Sequence, residues 1–496
     1  MATSVIRPVL APRLLLLRHL THSRSTPLLL AHFHQHRTSW TLTTASGPTR
    51  CTIMTNNDPP SRSLHSGTPA DAPATTNSYQ ARLVVDLVRS LERIGSFAMT
   101  SMSDPLSVED DLAQIRTLYR SMDRSAKLGL WEQEVSVRTL AKVAKLLAQQ
   151  PWGLDFLIQV RGDLLTTMRS RSATSPPSLQ TAINVLKRQI QTSLLPGLQF
   201  VQLSRGSSDE LSRGSSDELK RKIIQYETVH LMKTTNDLDK RLQRYRLIYA
   251  FLHPRLADPI AFLQIALTPT LSGSVQSILN DATANEQMDP PPTAAIFYSV
   301  NSTMRGLAGI HMGSRIIKAA VADLQVHHPS VTVFSTLSPI PSLRAWLQST
   351  PPTRGSGPRR AMGAAAEPYG RWEAVGAILP ATLREAVVRH FGSLSKFGKM
   401  VNQGKWVHDP AQRRFVRAVL TPICKHYLLK VRNDPVERFH LGNGATLLRL
   451  NWLGDVSPKG LSQSYGFMVN YWYDLPNLEA NARAFNRGRG TIVSKL

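Results

Sequence analysis

The segment VFSTLSPIP (residues 333–341) ends an apolar, strand-like run on Ser338, with prolines at 339 and 341. Proline has no N–H and fixes φ, so Pro339 stops the ladder and pushes Ser338 into an extended conformation. Two readings stand side by side: a plain strand terminus, or a hydroxyl presented rigidly for catalysis or ligand binding. Upstream, FYSVNSTMRGLAGIHMGSRIIKAAVADL (297–324) passes from a strand into a turn with Gly306, Gly309 and Gly313, then into a helix. Such glycines let backbone N–H groups approach a phosphate at a helix N-terminus, and Arg315 and Lys318 add positive charge. The spacing is neither G-x-G-x-x-G nor a P-loop, and a tight structural turn accounts for the glycines equally well. Downstream, RFHLGNGA (438–445) places His440 before an Asn-Gly turn, which suits a mobile edge better than a core. A lone histidine is more often structural than catalytic. Together, a phosphate-cradling turn, a strand-end serine and a loop histidine suit an acyl-CoA site.

The elements that must hold these residues fall into two patterns. From Tyr79 to Leu194, apolar residues recur at three- and four-residue spacing, as in Leu83, Val84, Leu87, Val88, Leu91 and Ile94. Further stripes over 107–122, 133–149, 153–169 and 178–194 predict a bundle of about five helices. From Lys220 onward the pattern is mixed. A short basic helix is expected over 238–247 and another helix over 315–325, with strands over 260–267, 294–300, 331–337, 446–452 and 465–473. Strand–helix–strand order with a late strand pair predicts an α/β or α+β arrangement around a mixed sheet, of which α+β is the expected class. The expected division is a leader and linker over 1–77, a helical bundle over 78–195, a polar insertion over 196–219 and a mixed-sheet catalytic domain over 220–496. The insertion holds a tandem repeat, LSRGSSDELSRGSSDE (203–218), too short for a solenoid. A second low-complexity stretch, 349–366, reads as an exposed insertion.

Composition narrows the class. With 42% hydrophobic and 19% charged residues the chain is ordinary for a globular protein. No run approaches the roughly 18 apolar residues of a membrane-spanning helix. Two cysteines, Cys51 and Cys424, cannot build a disulfide framework or a thiolate zinc site, and they suit a reducing compartment. Residues 1–57 hold six arginines, no lysine and no acid, and they include the His32, His34 and His36 cluster. An acid-free, Arg- and Ser/Thr-rich start is the pattern of a mitochondrial transit peptide. The final Ser494-Lys495-Leu496 reads as a peroxisomal address. Without residues 1–57 the formal charge falls from +25 to +19, so the folded part favours anionic ligands. Nucleic acid is disfavoured, because the positive charge is dispersed and no RNA- or DNA-binding motif is present.

At this point several long blocks resemble the malonyl-CoA decarboxylase family: RLIYAFLHPRLADPIAFLQIALT, FYSVNSTMRGLAGIHMGSRIIKAAV, VFSTLSPIPSLRAWL and RFHLGNGATLLRLNWLGDVSPKGLSQSYGFMVNYWY. They occur in family order across residues 80–496. The resemblance implies an all-helical N-terminal domain followed by a catalytic domain of the acetyltransferase (GNAT) fold, whose turn after the fourth strand holds the CoA pyrophosphate. Position by position it implies a substrate-binding turn of Ala308, Gly309, Ile310, His311, Met312, Gly313 and Ser314. It places the catalytic pair on Ser338, as proton acceptor, and His440, as proton donor, with Tyr473 lining the site. The implied reaction is decarboxylation of malonyl-CoA to acetyl-CoA without metal or other cofactor, in the mitochondrial matrix, the peroxisome and also the cytoplasm. The implied partners are malonyl-CoA, further copies of the chain through the helical domain, and the peroxisomal import receptor. Three positions depart from related sequences: Ala308 stands for a usual Gln or Arg, His311 for a glutamate of some relatives, and Ser342 for a common glycine. An acyl-CoA-dependent N-acetyltransferase of the same fold is the alternative, and it needs a general base and an amine cleft.

Overall fold

A computed structural model describes residues 72–96, 105–133, 135–170, 177–203, 213–281, 286–349 and 370–488. Most of the 1–77 leader, residues 204–212 of the repeat, 350–366 of the second insertion and the terminal Ser494-Lys495-Leu496 lie outside the described residues.

The N-terminal bundle contains α1 (Ala72–Ser96), α2 (Pro105–Ser121), α3 (Arg124–Glu132), α4 (Val137–Gln149), α5 (Gly153–Ser170) and α6 (Pro177–Leu194). Six helices replace the expected five, because Asp123 caps a separate α3 by accepting the Ala126 N–H at 2.7 Å. Helix α6 shows why these segments pack. Leu179, Ala182, Ile183, Leu186, Ile190 and Leu194 fall on one face and are all buried. Each large apolar side chain so buried contributes about 1.5–3 kcal/mol.

The second unit is built on one sheet. Its strands are β1 (Gln199–Leu203), β2 (Arg246–Leu252), β3 (Ala261–Thr268), β4 (Ala294–Ser302), β5 (Val333–Thr336), β6 (Ser338–Pro339), β7 (Thr446–Asn451) and β8 (Met468–Trp472). The order is β1-β2-β3-β4-β5-β8-β6, with β7 paired to β8; β4 and β5 are parallel and the other pairs antiparallel. Strands β2 and β3 are buried on both faces, so they read as continuous apolar runs rather than alternating ones. Leu247, Tyr249, Leu263, Ile265 and Phe297 join the core shared with the bundle. On the opposite face, Ile248, Ala250 and Phe262 pack with Ile223 and Leu238.

Several expectations are corrected. The sheet begins at Gln199 rather than 220, because Gln199–Leu203 pairs residue for residue with β2. The second repeat copy enters a helix, Arg213–Tyr226. The helix expected over 238–247 is limited to Thr235–Lys240, and Arg246–Leu252 is instead the fully formed β2. Between 370 and 442 a helical cap that sequence periodicity had not singled out covers the C-terminal edge, including Ala381–Phe391, Leu394–Gln403, Pro410–His426 and Pro435–Gly442. Trp372, Phe397, Val416, Leu420 and Ile423 bury its inner side.

Candidate active site

Parallel pairing of β4 with β5 runs only from Ala294↔Val333 to Phe297↔Thr336. Beyond it β4 continues to Ser302, while the chain after β5 turns at Leu337 and pairs Ser338 and Pro339 with β8 instead. A bulge in β4 assists this divergence: the β3 register passes from Ser299 to Phe297, leaving Tyr298 out. The strands therefore splay, and the proline-locked exit read from the sequence is the hinge of the opening. A cavity of about 300 Å³ fills the gap, walled by Phe297–Ser302 of β4 and the following Thr303, by Ser338, Pro339 and Pro341, and by Phe439 and His440.

His440 comes from the Pro435–Gly442 helix. Asp434 caps that helix by accepting the Val436 and Glu437 N–H groups at 2.9 and 3.3 Å, with Pro435 at its first position. Instead of sitting on a mobile edge, His440 is only 4% exposed. Its ring stacks on Tyr471 at 4.8 Å and 24°, and meets Phe439 edge-on. Burial pushes its pKa down to about 3, so the imidazole is neutral at neutral pH.

A chain of hydrogen bonds crosses the site. Tyr473 Oη lies 2.9 Å from His440 Nδ1, and His440 Nε2 lies 3.0 Å from Ser338 Oγ. Ser338 Oγ donates to Thr336 Oγ1 at 2.9 Å. Thr336 Oγ1 also accepts the Tyr471 backbone N–H at 3.1 Å. The polarity follows from counting protons. Ser338 has one hydroxyl proton and gives it to Thr336, so it must accept from His440. The neutral imidazole is therefore protonated on Nε2, and Nδ1 accepts the Tyr473 O–H. Burial raises the Tyr473 pKa, which keeps that donor protonated.

The opposite wall holds a second polar cluster. Glu227, 1% exposed, accepts from the Val229 and His230 N–H groups at 2.7 and 2.8 Å, from Ser299 Oγ at 2.8 Å and from Asn301 Nδ2 at 2.9 Å. This carboxylate fixes β4 to the 227–230 segment across the cavity mouth. His230 is buried and neutral, lowered to about 4 by burial, with its Nε2 unpaired among the described residues.

The glycine-rich turn has the shape of an anion cradle. Gly309 has φ +76°, which favours glycine, and His311 at φ +60° directly precedes the Met312–His327 helix. A Cβ at Gly313 would meet the Phe439 ring at 3.0 Å, so glycine lets the helix start lie against the neighbour of His440.

Of the residues singled out in the sequence, Gly309, His311, Met312, Gly313, Ser338 and His440 line one cavity. Ala308, Ile310 and Ser314 do not; Ile310 is in the core and the Ala308 carbonyl faces Arg161. Tyr473 does not line it either, and lies behind two lining residues, His440 and Phe297. Thr336, Tyr471, Glu227 and His230 were not singled out. Thr336 carried one signal, since it lies two residues before Ser338 along an extended segment and so shares its face.

Fold and site together define an α+β protein with a buried serine–histidine pair at a strand splay beside a glycine-rich, cation-flanked turn. The family model for the malonyl-CoA decarboxylase C-terminal domain matches residues 209–495, and the chain belongs to that family. It is 32% identical over 342 residues to the mitochondrial malonyl-CoA decarboxylase of the goose Anser anser anser, covering 67% of this chain and 63% of that protein. It is 28% identical over 439 residues to the rat protein of the same name, covering 86% and 85%. The chain thus spans just under two thirds of the goose relative's length. Among solved structures, malonyl-CoA decarboxylase from Rhodopseudomonas palustris aligns with a TM-score of 0.62 at 25% identity, covering 83% of this chain and 98% of that one. The Cupriavidus metallidurans structure of that name aligns at 0.61 and 24% over the same shares.

Proposed function

We propose that the protein decarboxylates malonyl-CoA to acetyl-CoA and CO2, with Ser338 and His440 as its catalytic pair. The observation that carries this reading is the Tyr473–His440–Ser338–Thr336 hydrogen-bond chain on the wall of the β4/β5 splay. Loss of CO2 leaves a thioester enolate, whose carbon must then receive a proton. That carbanion is a stronger base than imidazolate, so a neutral imidazole N–H is acid enough, as in other sites where neutral histidine serves an enolising carbonyl. His440 holds its proton on Nε2, beside the cavity, with Ser338 Oγ as its resting acceptor. Tyr473, donating to Nδ1, offsets negative charge on the ring as the proton leaves. The thioester serves as the electron sink, so this reading needs no metal, biotin or pyridoxal.

The splayed sheet and the turn after β4 support an acetyltransferase-type catalytic domain, with the Gly309–Ser314 turn at the CoA pyrophosphate. The curated relatives are named as mitochondrial, and the mitochondrial matrix is the compartment proposed here. Peroxisomal import through Ser494-Lys495-Leu496 and self-association through the helical bundle belong to the same reading. The test is incubation with malonyl-CoA, following acetyl-CoA and CO2. Equal amounts of both products support the reaction. Acetylation of an amine from acetyl-CoA, with no CO2 from malonyl-CoA, would replace it with the acetyltransferase alternative.

A further inference from the structure

The helical bundle meets the candidate site at the turn after β4. Helix α5 packs directly on the 305–308 turn: Gly162 lies close enough that its missing Cβ would be 3.4 Å from the Gly306 nitrogen. Arg161 of α5, 3% exposed, donates to the carbonyls of Gly306 and Ala308 and to Ile183 of α6. Arg305 of the turn donates to Thr166 of α5 at 2.7 Å. On α6, Lys187 Nζ stands 3.7 Å from where a Gly309 Cβ would be. Arg169 lies within electrostatic reach of Arg305, Lys187 within reach of Arg161, and His311 within reach of Lys187 and Arg315.

Five cations, Arg161, Arg169, Lys187, Arg305 and Arg315, therefore gather around one turn. Among the described residues none of them has a carboxylate within 4 Å. Packing like charges around a turn without counter-ions is unfavourable unless an anion occupies the space between them. Arg161 is spent holding carbonyls, and Arg305 a threonine. Arg169, Lys187 and Arg315 make no side-chain hydrogen bond among the described residues. Arg305, Gly309 and His311 of this same turn line the cavity that also reaches Ser338 and His440, so the cationic cluster borders the same pocket as the dyad. A ligand with its reacting acyl group at the dyad and its polyanionic end here matches both ends.

We propose that α5 and α6 of the helical bundle complete a phosphate subsite for the nucleotide end of CoA, with Arg169 of α5, Lys187 of α6 and Arg315 of the Met312–His327 helix as its free cations. The proposal rests on the reading of the pocket as an acyl-CoA site. It gives the bundle a role in substrate binding besides packing, and it explains why a buried arginine ties the bundle to the turn.

The experiment compares parent, Lys187→Gln and Arg169→Gln by titration calorimetry with CoA, dephospho-CoA and pantetheine, and by kinetics with malonyl-CoA and malonyl-pantetheine. Thermal melts control for folding. The expected result is CoA affinity lowered about tenfold in each variant, with the ratio of KM for malonyl-CoA to that for malonyl-pantetheine raised by a similar factor. An effect present with CoA but absent with dephospho-CoA would place the 3′-phosphate in the subsite; an effect on both would place the pyrophosphate there. Unchanged CoA affinity, or equal losses for CoA and pantetheine, would overturn the subsite. A parent that binds CoA through these cations yet releases no CO2 would sink the decarboxylase reading and leave the subsite standing.

Discussion

Ser338 Oγ and His440 Nε2 stand 3.0 Å apart although 102 positions separate them in the chain. The serine is held by the exit of β5 and the histidine by the last turn of a capped helix, so each side chain is set by a regular element rather than a loop. The direction of the proton between them depends on their outer partners, Thr336 and Tyr473, and this makes the outer partners testable.

Tyr473→Phe removes the donor to Nδ1 and leaves a buried ring nitrogen unpaired, a penalty of about 1–3 kcal/mol. The imidazole can then relax to the Nδ1-protonated form, which carries no proton towards the cavity. Steady-state kinetics should show kcat reduced at least about tenfold with little change in KM. A rise in KM at unchanged kcat would mean that Tyr473 serves binding instead.

Thr336→Val keeps the shape but deletes the acceptor of both Ser338 Oγ–H and the Tyr471 N–H. Ser338 would turn its proton to His440 Nε2 and reverse the chain. Activity should fall by about one to two orders of magnitude, with a stability loss of about 1–3 kcal/mol. Wild-type turnover in this variant would show that the polarity of the chain is irrelevant.

Because burial holds His440 near pKa 3, its protonation should not limit turnover around the ordinary imidazole value of 6.5. The kcat profile should therefore run flat from pH 8 down through pH 6. Stability carries the complementary signature. The unfolded histidine takes a proton below about 6.5 and the folded one does not, so this group costs stability as pH falls from there towards 3. An inflection in kcat near 6.5 would mean that His440 works from the charged state.

Behind His440, on the same helix, Glu437 is fully buried with neither carboxyl oxygen paired among the described residues. Burial, and then the Asp434 charge, raise its pKa to about 8, while burial raises Asp434 to about 6. Folded Glu437 keeps its proton where the unfolded chain has lost it, so its contribution is full below about pH 4.5 and is lost as pH rises to 8. Glu437→Gln should melt higher than the parent at pH 8, with the gap closing towards pH 5. A pH-independent difference would mean that the carboxyl is not a buried acid.

Ser338 was legible because proline chemistry acts locally: Pro-x-Pro leaves few conformations to the residue before it. Thr336 was not, since a threonine within a strand is an ordinary β-former. His440 was misjudged as mobile because the Gly-Asn-Gly that follows it reads as a turn. The Asp434-Pro435 pair upstream signalled a helix start. Its burial comes from Tyr471 and Phe439, contacts that no local rule reveals. The bundle and most strands followed periodicity, but β2 was read partly as helix since the approach to it, LDKRLQRYRL, is basic and helix-forming in isolation. Lys187 in sequence is one more charge on an amphipathic helix, and only the docking of α6 brings it beside Gly309.

The measurement closest to the central claim is malonyl-CoA turnover in Ser338→Ala, His440→Asn and the double variant, each with CoA affinity measured alongside. If the pair acts as a unit, each single variant loses about two to four orders of magnitude in kcat, and the double variant falls no further than the worse single. CoA affinity should stay near that of the parent. Near-normal turnover in either single variant, or losses that multiply in the double, would contradict the account.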